Sequence, residues 1–187
     1  MRSAARWLGT FVLGGIGGAA CDQIHVRFGV LVYPRVDLLG QPWWVAPVFG
    51  AAAVVVLEAV GPFSAQAARM LPPRGGVSLA AQAVWFFGAY LASGIFSGHP
   101  HALVAAFGAA FLLRLAFRPD RAQIFEFGVL LAFAGTAFES WLCSRGAFRY
   151  THPDLGLVAV WLPGLYLHGA PLAISVGRRL RAPARRA

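Results

Sequence analysis

Eight polar side chains sit inside otherwise apolar stretches: Asp22, Gln23, His25, Glu58, Gln82, Arg114, Glu139 and His168. A polar group at membrane depth is costly unless it is paired or wetted, so each is a candidate for ligand contact or proton exchange. Asp22 and His25 fall near the end of their stretch, where they face headgroups or a cavity mouth. Glu58 and Arg114 lie close enough to an end to snorkel. Glu139 lies well inside its stretch with Arg145 as the nearest cation in sequence, and it either serves a polar cavity or marks a helix end. His168 follows Pro163 and Gly164 and has the same two explanations.

The chemistry these residues could perform is limited. His99-x-His101 with Glu139 imitates a metal site only loosely, because two imidazoles two residues apart in a tight turn do not make a ligand set. There is no G-x-S-x-G, no H-E-x-x-H and no glycine-rich phosphate loop. Cys21 and Cys143 lack C-x-x-C spacing and sit among apolar neighbours, as small hydrophobes do. No cofactor and no metal are expected, and catalysis is not the expected activity. An amphiphile held among helices would need an apolar slot and a few polar groups at its mouth. His25, Gln23, Trp43 and His101 are expected at one membrane level, where they either share a headgroup or act as ordinary interfacial residues. Glu139 and His168 form the next set of lipid-binding candidates.

The elements that must position these groups are membrane helices. Of 187 residues, 58% are hydrophobic and 12% charged, with a mean hydropathy of +0.64. A soluble fold of this size exposes too much surface to hide that composition. Six apolar segments follow, near Trp7–Val26, Trp43–Val60, Val77–Phe96, Ala102–Phe117, Phe125–Cys143 and Leu157–Val176, separated by proline-rich turns. Arg2 and Arg6 before Trp7 imitate a cleaved signal, but the later segments favour a retained first helix. The expected class is an all-α polytopic membrane protein, one domain over 1–187 with a basic tail from 177 to 187.

All sixteen basic residues are Arg. Twelve fall on the side of the termini and the second and fourth loops, against Arg27, Arg35, Arg145 and Arg149 on the other. That bias places both termini in the cytoplasm. The net charge of +9 is therefore a topology signal rather than a nucleic-acid surface. Arg without Lys, with abundant Ala and Gly, suits a GC-rich bacterial source and its inner membrane. Gly9, Gly14, Gly15, Gly17 and Gly18 suit close helix packing and a homo-oligomer, with a trimer as one form. No internal repeat is evident, which counts against a carrier built of two halves.

Two stretches resemble the Insig (insulin-induced gene) family. Pro42-Trp43-Trp44-Val45-Ala46-Pro47 is similar to the start of that family's second span. Gly146-Ala147-Phe148-Arg149-Tyr150-Thr151-His152-Pro153-Asp154, then Trp161-Leu162-Pro163 and Gly177-Arg178-Arg179-Leu180, is similar to its G-x-x-x-Y-T-x-P-D loop, W-L-P sixth helix and G-R-x-L terminus. The resemblance implies six helices, cytoplasmic termini and a lipid held among the helices. In animal members the ligands are oxysterols and the partner is the escort protein Scap. Here the family's sterol-contacting Gln falls on His101. Its paired Trp is replaced around Arg114, Leu115 and Ala116, and its Scap-associated Asp is Arg118 or is displaced to Asp120. These departures favour a prokaryotic homologue holding a diacylglycerol-like glycerolipid over a sterol, with no Scap-type partner. A small transporter or a lipid-modifying enzyme is the alternative.

Overall fold

The computed structural model describes residues 2–70 and 78–181. Among them are eight helices and one two-stranded ribbon: α1 (Arg2–Arg27), β1 (Leu31–Val32), α2 (Val45–Ala59), α3 (Gly61–Met70), α4 (Leu79–Ile95), α5 (Pro100–Ala116), α6 (Arg121–Ser144), β2 (Arg149–Tyr150), α7 (Leu162–Leu167) and α8 (Gly169–Arg181). The second-loop residues Leu71–Val77, with Arg74, lie outside the described residues, as do 182–187 of the tail. Its first residues are no loose tail: Gly177–Arg181 belong to α8.

Local chemistry explains the boundaries. Ser78 caps α4 by accepting from Ala81 N at 3.1 Å. Pro100 opens α5, where its missing N–H is not needed. At the far ends of α1 and α6 the chain reverses through Gly29 and Gly146, both at positive φ. Val30 N bonds to His25 O and Ala147 N to Leu142 O, which closes a Schellman motif at each helix.

Two segments depart from expectation. The second continues past Val60 as α3, bent by 51° from α2. The sixth breaks at His168 into α7 and α8, beside Pro163 and Pro171. Among the described residues, α6 alone is a sufficient span by length and hydropathy and the bent α2–α3 pair passes jointly; α4 and α5 are shorter apolar helices. Large apolar side chains face outward all round, among them Leu13, Val84, Leu112 and Phe133. Exposure on that scale needs lipid as the solvent.

β1 pairs antiparallel with β2 through Leu31–Tyr150 and Val32–Arg149, so the first and fifth loops share one end of the bundle. At the opposite end Glu58 accepts from Arg6, Trp7 and Arg181, which ties both terminal helices to the end of α2. We call these the ribbon end and the terminus end. One buried cluster fills each: Tyr33, Tyr90, Phe107, Tyr150 and Trp161 at the first, Leu57, Phe111, Ile124, Phe127 and Ile174 at the second.

The glycines of α1 serve packing within the chain. A Cβ on Gly14 would stand 2.2 Å from Ala53 Cβ, and one on Gly18 would stand 2.3 Å from the Phe49 ring. Only glycine lets α1 lie this close to α2.

A repeat that the residues alone conceal also emerges. Asp22 and Glu139 each lie seven residues before their Schellman glycine, and Tyr33 and Tyr150 each lie four after it. Asp37-Leu38 and Asp154-Leu155 follow at matching positions. Leu38 bridges Gln41 as Leu155 bridges Val158, and Trp44 and Trp161 each precede the next helix. Val32 and Arg149, which pair in the ribbon, each lie three residues after their Schellman glycine. The expectation of no internal repeat is corrected: few side chains match between the two units, but their turn geometry does.

Candidate functional site

Each repeat unit carries one carboxylate, Asp22 buried and Glu139 half-buried, and offers it one phenol of its own. Asp22, at the penultimate turn of α1, accepts from Tyr33 Oη at 2.9 Å and from Gln41 Nε2 at 2.6 Å through Oδ2. Glu139 of α6 accepts from Tyr150 through Oε2 and from Tyr166 of α7 through Oε1. In both units the acid and its tyrosine are eleven residues apart. Among the described residues neither carboxylate meets a cation within 4 Å. What neutralises part of their charge is a set of neutral donors, which suits an acceptor site for hydroxyl groups.

His25 completes this end. It is 3% exposed, and Nε2 lies 2.8 Å from Ser93 Oγ. Ser93 donates its one proton to Tyr90 O, so His25 Nε2 must carry the hydrogen. The imidazole packs 5.2 Å from the Tyr90 ring and 5.5 Å from Trp161. Tyr150 meets Trp161 and Phe148, and Phe148 meets Tyr33, so a chain of rings connects both carboxylate sites with His25. A shallow cleft of about 10 Å³ opens here, lined by Val30, Ser97, Tyr150, His152, Ala159 and Trp161. That is space for about one water, so a lipid, whose pockets run to ~300 Å³ and above, enters only if the helices part.

The other expected site residues divide. His101 lies exposed on α5 and does not join His25, because the first turn of that helix presents it outward. Trp43 is 73% exposed. It is Trp44, the helix-preceding residue of the repeat, that turns inward and meets the Tyr33 ring at 5.7 Å. Gln23 stays near α1's packed side, its amide O and N buried without a hydrogen-bond partner. Glu139 belongs to the ribbon-end group, whereas His168 lies in a separate polar chain with Arg114 and Gln82. There Arg114 Nη2 donates to Gln82 Oε1 at 2.6 Å, and Nη1 lies 3.0 Å from His168 Nδ1. Arg114, half-buried in the last turn of α5, is therefore held by Gln82 of α4 and by His168 rather than left free at the helix end.

Tyr33, Tyr90, Ser93, Gln41, Tyr150 and Tyr166 were not singled out as site residues. A phenol or hydroxyl adds little polarity to an apolar run, so a search for costly intramembrane groups passes over it. The equal spacing of acid and tyrosine on each side of a Gly was the available signal. Among the described residues no group of three or more His, Cys, Asp and Glu could hold a metal.

Comparison with known proteins agrees with this fold. No family model matches the chain. The insulin-induced gene 1 protein of Gallus gallus is 25% identical over 177 residues, covering 91% of this chain and 69% of the relative. That of Homo sapiens is 24% identical over 186 residues, covering 96% and 66%. The chain thus spans about two-thirds of these relatives' length. Among solved structures, the mycobacterial Insig homologue MvINS of Mycobacterium vanbaalenii superposes with a TM-score of 0.70 at 24% identity, covering 96% of this chain and 97% of that one. A cross-linked trimer of MvINS gives 0.74 with the same identity and coverage. The resemblance to Insig proteins read from the motifs is borne out over nearly the whole chain.

Proposed function

We propose that this Insig-like chain is a prokaryotic member of that family and a lipid-binding, lipid-sensing protein of the bacterial inner membrane. It holds a neutral, hydroxyl-bearing glycerolipid of the diacylglycerol type. The observation that carries the reading is the pair of carboxylates, Asp22 buried and Glu139 half-buried, each bonded to a phenol and without a cation within 4 Å among the described residues. A carboxylate accepts and cannot donate. Set in an apolar bundle, it favours a ligand that brings O–H donors and no negative charge. A phosphate would be repelled here, whereas a diacylglycerol brings one hydroxyl donor and no charge; the departures from the family's sterol contacts at His101 and around Arg114 speak against a sterol. Acyl chains would enter by parting helices beside the small cleft, which suits a sensor whose shape reports occupancy.

In this reading the helices make six crossings, with α2–α3 and α7–α8 each counting as one. The terminus end, with most of the arginines, is cytoplasmic. The chain works as a homo-oligomer, with the cross-linked MvINS trimer as the precedent, and without a Scap-type partner or catalysis. The repeat also favours a second reading, since carriers are often built from two related units around a midplane site. Lipid mass spectrometry on the protein purified in mild detergent separates these. A stoichiometric neutral glycerolipid supports binding, and time-dependent conversion of that lipid would identify an enzyme instead. Flux of labelled lipid between leaflets of protein-bearing vesicles, absent from empty ones, would favour the carrier.

A further inference from the structure

At the terminus end several arginines have no carboxylate within 4 Å among the described residues, and among them Arg114 is held in place by two neutral side chains. The chain has seven carboxylates, and their places are known. Asp120 holds Arg118 through two bonds of 2.9 and 2.8 Å, and Glu58 holds Arg6 and Arg181. Asp22 and Glu139 lie at the ribbon end, Asp37 and Asp154 lie in its loops, and Glu126 is exposed on α6. Arg114 on α5 has none within 4 Å among the described residues. Its guanidinium is nevertheless held at two nitrogens. Gln82 Oε1 takes Nη2, and His168 Nδ1 takes Nη1. His168 Nε2 is 3.2 Å from Phe107 O, which fixes its proton on Nε2 and leaves Nδ1 as the acceptor. The Trp85 ring, half exposed to lipid, lies 5.0 Å from Cζ.

We infer that Arg114 is the anchor of an anionic phosphate site for a phospholipid headgroup, separate from the neutral-lipid site at the ribbon end. Two of the five guanidinium N–H groups are occupied, and three remain to donate. The amide nitrogen of Gln82 also makes no hydrogen bond among the described residues. A phosphate oxygen is the acceptor that matches a fixed guanidinium fork, and its charge removes the cost of an isolated cation near the hydrocarbon. Depth agrees as well. Arg114 is in the last turn of α5 and Gln82 in the first turn of α4, the level of phosphates rather than chain ends. Trp85 is suited to that same level. Two neutral acceptors position the cation without neutralising it, so the charge is kept for a ligand. The leaflet, cytoplasmic, rests on the orientation proposed above; the site does not.

The test uses full-length protein in nanodiscs of phosphatidylcholine with added phosphatidylglycerol, then native mass spectrometry of the lipids retained. Wild type should retain one phosphatidylglycerol per protomer in preference to phosphatidylcholine. Arg114→Gln should weaken that retention about tenfold, as loss of a charge-assisted pair implies. Arg179→Gln, on the exposed end of α8, measures general surface attraction and should change it little. An equal fall in both variants, or no preference in wild type, overturns the site. Should Arg114→Gln fail to fold, Trp85→Leu touches none of the hydrogen bonds and should lower retention about threefold through loss of the cation–π contact; unchanged retention there overturns it too. Inorganic phosphate is the other possible source. If it raises the melting temperature in phosphatidylcholine discs and phosphatidylglycerol does not, the lipid assignment fails.

Discussion

At the scale of single residues, the acid–phenol pairs make opposite demands on their partners. Tyr33 and Tyr150 lie in the ribbon-end loops, where burial first, and then the neighbouring Asp22 or Glu139, pushes each phenol above its ordinary range. A phenol whose folded pKa is raised contributes stability that is complete below its unfolded pKa and is lost as pH climbs beyond it. The melting temperature should therefore hold level to about pH 9 and fall above about pH 10. Tyr33→Phe should blunt that fall, and an equally steep fall in the variant would exclude Tyr33 as a source. His168→Leu leaves Arg114 one acceptor short and should cost about 1–3 kcal/mol in a denaturant or thermal series. Glu139 was legible from its depth in an apolar run, with no cation near it in sequence. His101 was misplaced because membrane level alone does not fix which way a helix presents a residue.

At the scale of elements, the α1–α2 contact shows why glycine spacing has two explanations. The same Gly14/Gly18 pattern serves a neighbour in the same chain or in a second copy, and only three-dimensional contacts choose. Here Ala53 and Phe49 occupy the space. Gly14→Leu should thus lower protomer stability by about 1–3 kcal/mol or more, the range of an overpacked core. Crosslinking in membranes checks this: dissociation of an oligomer with unchanged melting temperature would put Gly14 at a subunit contact instead. Five of the six apolar segments were legible as helices with ends within a few residues, because hydropathy and proline mark them. The break at His168 and the bend at Val60 were not, since neither alters the apolar run. The repeat escaped for a related reason: it is conserved as Gly29 and Gly146, two bridges and two acid–tyrosine spacings rather than as a run of matching residues.

At the scale of the whole molecule, the two ends carry opposite chemistry. The ribbon end holds acceptors, and the terminus end fixes cations. Arg bias and the bundle's geometry make a joint prediction: with Cys21 and Cys143 replaced, single cysteines at His99 and His152 should react with an impermeant reagent in intact cells. One at Arg121 should react only after permeabilisation, and the reverse pattern would invert the bundle. The central claim is that Asp22 and Glu139 are acceptors for a neutral, hydroxyl-bearing lipid. Its most direct test is quantitative extraction of lipid from purified wild type and from Asp22→Asn and Glu139→Gln, each confirmed as folded by its melting temperature. The account expects close to one diacylglycerol-type molecule per wild-type protomer and a loss of about fivefold or more in each variant, the worth of a hydrogen bond to a charged group. Equal lipid loads in all three proteins, or a wild type that retains only phosphate-bearing lipids, would contradict it.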